Sequence, residues 1–592
     1  MKKNKLLALL VALVMIAGLA AACTGDSGTP AATPTPAATG GGTTDTGGGT
    51  AATDDGDDEP VATERDHYAF IYYRNYDWAT DVWGEDLTSI YWNEMFNIEP
   101  TFQFPDSSAD ELLTLMVSSG DFPDAIWMDR NDWNRRLARD GYFVDLDTLK
   151  PLMDNNWYDD NILAQTQEHL KIDGVLYGVP NWARKDASGG NDCWMYTQSI
   201  YEAAGSPSIT TWDELFDYAV AVRDNVPTSH GQPVIPVSFE AGTVNGENFV
   251  RAIYRSMGGA HTDGWRGVVN NDGNPVYIPL MMDPVYQEAL LEANRWFREG
   301  LVPAVTFTDT REQFLEKLTS ARIGLVWYDH SQDDGNNFRK EMRAAYPGDS
   351  IEIVQWEAEG LTRLYPPNNG LSPSRLYGDH YGTIGWNVTC IFTAAEKPER
   401  IYEWITYLLT KQGSIEMMYG PQGQILSDGS VLWENYDSNG NPILNFNPDN
   451  EPERVAELAL WRWAVAGHAD NVDHTKFAVN DALPDGERSW VVSHQAHVFT
   501  PLMRPLTDEY TNIEAIIEPD TPLQIARHAC WTFYQERFPQ IIMAASESAA
   551  RALIEEVLAF WDANQIDEIN AQHTIAWEQN LAMQGGTIFT KR

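Results

Sequence analysis

The chain changes character once, near residue 60, and that break bounds what can fold. From Thr24 to about Pro60 it is built of Gly, Thr, Ala, Pro, Ser and Asp, with no large apolar residue and an acidic end at Asp54, Asp55, Asp57, Asp58 and Glu59. Such a stretch cannot offset the entropy of its own ordering, so it reads as a flexible tether extended by charge repulsion. About 530 residues follow, enough for two or more compact units. A hydrophobic content of 43% with 22 Trp supplies an ample core. Beyond the tether no run approaches the ~18 apolar residues of a membrane-spanning helix.

The segment before the tether has the layout of a secretory signal. Lys2, Lys3 and Lys5 precede an almost unbroken apolar run, Leu6 to Ala22. It ends in Leu19-Ala20-Ala21-Ala22-Cys23, small residues directly before a cysteine. This resembles a bacterial lipobox, although Ala20 stands where that pattern prefers a branched aliphatic. The resemblance implies a signal peptide over 1–22, an acylated (palmitate-bearing) Cys23 and a tether over 23–65, holding the protein at the outer face of the cell membrane. Two acyl chains anchor stably where one does not. The alternatives are an uncleaved anchor helix or an ordinary secretory signal.

A net charge of −46 repels nucleic acid and anionic lipid, which excludes both as partners. Besides Cys23 there are Cys193, Cys390 and Cys530, none in a C-x-x-C pair. They read as buried free thiols.

Along the folded part, strands alternate with helices, which implies a parallel sheet with crossovers. Tyr68–Tyr73 reads as the opening strand, then a helix over 86–96 and a strand over 101–104. Ser108 and Glu111 form a capping-box pattern for a helix with Leu112, Leu115, Met116 and Ser119 on one face, stopped by Gly120. A buried strand over 122–128 follows, then helices over 131–139 and 146–153, and a turn at Asp173-Gly174 leading into a strand that ends at Pro180. Further helices are expected over 212–224, 286–299, 311–318, 397–409, 551–561 and 566–581, with strands over 323–327 and 384–392. The Asn- and Gly-rich stretches at 271–274 and 437–441 read as hairpin turns, and no internal repeat is found.

Several segments, in order from about residue 68 to 580, resemble the large carbohydrate-type extracellular solute-binding lipoproteins of ABC importers. They are Leu112 through Pro123-Asp124, Leu137-Ala-Arg-Asp-Gly141 with Val144-Asp-Leu146, Lys171 through Pro180, Ala204-Gly205 through Leu215, Glu299-Gly-Leu-Val-Pro303, and Pro398 through Gly423. Each motif is weak alone, but six in order are specific. The resemblance implies an α/β fold of the type II periplasmic-binding-protein class, two lobes around a cleft with several chain crossings. By that analogy one lobe holds 66–180 plus about 386–430, and the other 181–385 plus about 431–592. It also implies a monomer that closes by a hinge and delivers its ligand to permease subunits.

Ligands in such folds sit beyond the carboxyl ends of strands, and sugars call for flat aromatics beside carboxylates, amides and Arg. Strand ends that carry such groups are Tyr73-Arg74-Asn75-Tyr76-Asp77-Trp78, Trp127-Met128-Asp129-Arg130, Asn181-Trp182-Ala183-Arg184, Glu240, Trp327-Tyr328-Asp329 and Trp386-Asn387. The candidate ligand contacts are Tyr73, Arg74, Trp78, Trp127, Asp129, Trp182, Arg184, Glu240, Trp327, Tyr328 and Trp386, with Trp182 and Trp327 foremost. Relatives often carry a calcium loop after the helix matching 212–224. Here that stretch, 225–233, lacks the carboxylate spacing, and no calcium is expected in it. The stretch 189–196 also lacks the charged residue usual in the family directly before the next helix.

Other chemistry is less well supported. His468, His474, His494 and His497 fit no zinc motif and read as surface or loop histidines. No Walker A, G-x-S-x-G or dinucleotide fingerprint appears in a strand-to-helix context. No catalytic residue, metal or cofactor is assigned. The expected function is capture of a carbohydrate, an oligosaccharide by the size of the chain. The alternatives are a peptide-binding importer lipoprotein and a secreted glycoside hydrolase, which would need two carboxylates ~5–10 Å apart.

Overall fold

The computed structural model describes residues 66–105, 108–186, 193–209, 212–241, 246–257, 259, 262–263, 266–271, 274–328, 332–353, 382–460, 466–484, 487–500 and 508–585. The expected signal, Cys23 and the tether lie outside these residues. Among the described residues no helix is long and apolar enough to cross a membrane.

Ten strands build two sheets: β1 (Tyr68–Arg74), β2 (Ile98–Gln103), β3 (Ala125–Asp129), β4 (Gly178–Ala183), β5 (Cys193–Thr197), β6 (Ile235–Phe239), β7 (Ile323–Tyr328), β8 (Ile351–Ile353), β9 (Asn387–Ile391) and β10 (Gly467–His468). The first sheet has the order β10-β4-β9-β3-β1-β2 and the second β6-β7-β5-β8. The alternation of strands and helices predicts parallel pairing, which holds for β1 with β2 and β3 and for β6 with β7. Both sheets are nonetheless mixed. β9 returns to the first sheet by a long connection and runs antiparallel to both β3 and β4.

Each sheet is buried under its own apolar cluster. The first joins Tyr68–Ala183 to Ile384–Val479, and the second joins Trp194–Trp327 to the closing helices around Cys530–Ile566. A third cluster, including Met195, Ile323, Val326 and Met342, covers the other face of the second sheet. The chain therefore passes from the first sheet to the second after Ala183 and returns before Asn387. It stays on the first core through Val479, later than the exit near 430 expected from sequence, because His468 is still bonded to β4.

Local signals are read out with instructive exceptions. Asp86, Asn131 and Asp283 cap their helices through their side chains, and Thr310 with Gln313 closes a capping box. Ser108 precedes the helix Ala109–Ser119 but makes no cap bond, and that helix buries Leu113 while Leu115 is exposed. The buried stripe is thus turned from the expected one. Residues 146–153 form two 3-10 turns rather than one helix. β4 does not stop at Pro180 but runs on to Ala183. Cys390 and Cys530 are buried free thiols, whereas the side chain of Cys193 is outside the description.

Candidate functional site

The carboxyl ends of β1 and β3 and the amino end of β9 converge on four aromatic rings. β1 ends at Arg74, and the loop behind it carries Tyr76 and Trp78 back over β3. Tyr76 packs on Trp127 at 4.4 Å between ring centroids and on Trp386 at 5.6 Å. Trp78 and Trp386 lie nearly parallel, 29° apart at 6.2 Å, and both meet Trp127 edge-on. Trp127 is wholly buried, whereas Trp78 is 53% and Trp386 38% exposed. The arrangement is a buried indole supporting two open ones, a flat apolar face that would be costly to leave in water without a use.

A polar edge adjoins it. Asn387 Nδ2 donates to the Tyr76 hydroxyl at 3.2 Å, and that hydroxyl donates to Asp129 Oδ1 at 2.6 Å. The three residues meet because Asp129, Asn387 and Asn181 are directly opposed across β3, β9 and β4, which places them on one face of the sheet. Burial and the neighbouring Asp129 carboxylate together hold the Tyr76 phenol far above its usual range. It therefore stays a protonated donor at any ordinary pH.

The segments between the sheets are fastened beside this site. Arg130 donates to the carbonyls of Ile384, Gly385 (2.7 Å) and Asn387. Arg184 N donates to Thr383 O at 3.1 Å, tying the outgoing segment to the returning one. Buried Asp508 accepts from both the backbone N and the hydroxyl of Thr383. Gly385 has φ 68°, and a Cβ on it would stand 2.0 Å from Asn181 O, so no other residue fits. Trp182, at φ 66°, is a bulky residue in the left-handed region, an unusual conformation held by neighbours such as Gly467, which lies against its ring.

The residues singled out from sequence are thus dispersed. Trp78, Trp127, Asp129 and Trp386 come together. Trp182 and Arg184 end the adjacent β4. Tyr73 and Arg74 are interior: the Arg74 guanidinium stacks on Phe102 at 4.6 Å and pairs with Asp81. On the second sheet Glu240 is paired with Arg311 at 2.6 Å, and Trp327 is only 8% exposed, packed on Trp194 at 5.2 Å. The foremost stacking candidate is therefore largely a core residue, because β5 sets Trp194 directly opposite it. The side chain of Tyr328 lies outside the description. Tyr76 and Asn387, which sit in the same strand-end segments, are the centre of the polar edge. Sequence could have pointed to them through their spacing, since Tyr76 lies two residues before Trp78 and Asn387 beside Trp386.

Residues 225–233 form a short hairpin, Thr228–Ser229 with Gln232–Pro233. His230 at its tip bonds Asp349 at 2.7 Å and stacks on Tyr346. His468 is buried, donates from Nε2 to Asn161 O and accepts at Nδ1 from Asn471 N, His494 bonds Trp490 O, and His497 is exposed beside Asp481. Among the described residues no three His, Cys, Asp or Glu side chains are grouped to hold a metal.

Residues 76–415 match the family model of the bacterial extracellular solute-binding proteins. Among curated protein sequences none matches the chain. Solved structures share the fold. The alginate-binding protein AlgQ2, in a crystal structure without calcium ion, is 13% identical with a TM-score of 0.61, over 86% of this chain and 98% of that one. The S. pneumoniae ABC-transporter substrate binding protein FusA, in complex with kestose, is 14% identical with a TM-score of 0.59, over 87% and 99%. The N-glycan transport solute binding protein NgtS from Streptococcus pneumoniae is 12% identical with a TM-score of 0.53, over 86% and 99%. The shared architecture is the type II periplasmic-binding-protein-like fold.

Proposed function

Because the chain belongs to the bacterial extracellular solute-binding proteins, we propose that it captures an oligosaccharide outside the cell and delivers it to the permease of an ABC importer. The observation that carries this reading is the open Trp78–Trp386 face on buried Trp127, edged by Asp129 and Tyr76 at the carboxyl ends of β1 and β3. Indoles stack on the apolar C–H faces of sugar rings, and a carboxylate accepts from ring hydroxyls. The complex of FusA with kestose and the N-glycan transport role in the name of NgtS support a glycan ligand in this fold.

In this reading the cores around the two sheets act as lobes, and the segments joined by Arg184, Thr383 and Asp508 act as the hinge. Trp78, Trp386 and Asp129 touch the ligand, while Trp127 and Tyr76 position them. Trp182 and Arg184 extend the site along β4, and Glu240 and Tyr328 are the contributions of the second lobe. Capture requires no acid–base pair, so the protein acts as a binder rather than an enzyme. An acylated Cys23 followed by the tether would keep a monomeric binder at the outer membrane face, within reach of its permease.

A thermal-shift screen against oligosaccharides and peptides, with product analysis of every hit, tests the reading. Ligand at a hundredfold excess over Kd stabilises the folded state by about 2.7 kcal/mol. An intact glycan that raises Tm supports capture. A shift with peptides alone, or a cleaved glycan, overturns it in favour of peptide import or hydrolysis.

A further inference from the structure

Resting on the glycan reading, we infer that the captured sugar is uncharged where it meets the aromatic face: it carries no uronate, sulfate or other anionic group there. The polar edge presents negative charge and hydrogen-bond acceptors to a ligand. Asp129 is exposed and accepts one bond, from Tyr76, which leaves its remaining lone pairs for hydroxyl donors. Asp77, in the loop between Tyr76 and Trp78, adds a second exposed carboxylate. The remaining groups on the edge are amides. Asn387 is fully buried, donates to Tyr76, and its Oδ1 has no hydrogen-bond partner among the described residues. A buried carbonyl of that kind calls for a donor, which a hydroxyl or a bridging water supplies and a carboxylate does not.

Among the described residues, four cations are engaged away from the edge. Arg74 lies inside the first core against Phe102 and Asp81. Arg130 follows Asp129 in the chain and donates from its two terminal nitrogens to the carbonyls of 384, 385 and 387. Lys185 bonds the carbonyl of Asp160. On the second sheet, Arg311 is neutralised by Glu240. An anionic group set against this edge would lose water and face the Asp129 carboxylate at close range. The net charge of −46 opposes its approach as well.

The test is isothermal titration of the full-length protein with neutral hexasaccharides and nystose, and with hexagalacturonate and alginate hexamers, at about 20 mM and about 500 mM NaCl. The expected result is a neutral ligand whose Kd changes less than about twofold across that salt range, with the hexauronates at least about tenfold weaker. Asp129→Asn keeps the shape of the edge and removes its charge, so it should narrow that gap by strengthening hexauronate binding. Hexauronates that bind more tightly than every neutral sugar, and weaken with salt, would overturn the inference while leaving glycan capture standing. An unchanged neutral-to-uronate ratio in Asp129→Asn would overturn the role given to Asp129. A response to peptides alone would overturn the capture reading, and this inference with it.

Discussion

The strand ends of the two sheets carry similar residues and use them differently. On the first sheet, Trp78 and Trp386 stand open above Trp127, and Asp129 is exposed beside them. On the second, Trp327 is enclosed by Trp194, itself in contact with Phe249, Trp212 and Trp296, while Glu240 is paired with Arg311. A strand end fixes where a side chain emerges, but what packs over it decides whether it meets solvent. The loop after β1 folds back and lifts an indole off the sheet. The strand beside β7 instead presents another indole in register, and the pair closes into a core.

The strongest way to break the first region is Gly385→Ala. The new Cβ would overlap a backbone oxygen that cannot retreat as a flexible side chain could, at a φ that L residues avoid. A loss of about 4 kcal/mol or more is expected, read by urea unfolding, together with loss of the platform on which Trp386 sits. A Tm within a degree of wild type would show that the crossing is not held as described. The matching change in the second region is Trp327→Ala, expected to cost ~3–5 kcal/mol as a core truncation. If it instead left stability intact and abolished ligand binding, Trp327 would be a ligand contact after all.

Much of the frame was legible in the sequence because it rests on local signals. Asp86, Asn131, Asp283 and Thr310 announce helix starts, and Gly120 and Gly300 their ends. Strand alternation gave the α/β class, and the resemblance to the solute-binding lipoproteins implied two lobes. Sequence could not give the antiparallel return of β9 or the late exit at His468, since both depend on pairings between residues hundreds of positions apart. The site was half legible for the same reason. Trp78, Trp127, Asp129 and Trp386 were named from their strand ends, but the bond from Asn387 to Tyr76 spans the chain and leaves no local trace. Arg74 looked like a ligand contact because it stands at a strand end among aromatics, yet it is buried. Only the placement of Phe102 and Asp81 explains why it is.

The two regions should also respond differently to acid. His573, on the closing helix, is fully buried with neither ring nitrogen bonded among the described residues. Burial first, and then Arg266 and Arg527, bring its pKa down to about 2. In the unfolded chain it titrates near 6.5, so between about pH 6.5 and 2 the unfolded state binds a proton that the folded state refuses, and stability falls as pH falls. Over pH 7 to 5 this amounts to about 2 kcal/mol. His573→Leu should recover that much of the acid loss, measured as the difference in urea midpoints at the two pH values. His468 in the first region is lowered by burial to about 4, and it titrates across a narrower window. Equal acid sensitivity in wild type and His573→Leu would sink this assignment.

The smallest effect bears most directly on the contrast. Trp78→Ala removes a half-exposed ring and should change stability by no more than about 0.5 kcal/mol, the range of an ordinary surface substitution. Its effect on glycan affinity should be larger, about tenfold or 1.4 kcal/mol, because the ring face is lost to stacking. Trp386→Ala should behave in the same way. As the two rings lie nearly parallel and share Trp127 beneath them, the double variant should lose less affinity than the sum of the singles, by about 0.5 kcal/mol or more. Strict additivity would mean that the two indoles serve separate sugar rings. A coupled loss would mean that they present one face to a single ring, and the contrast with Trp327 would then be one between a platform and a core.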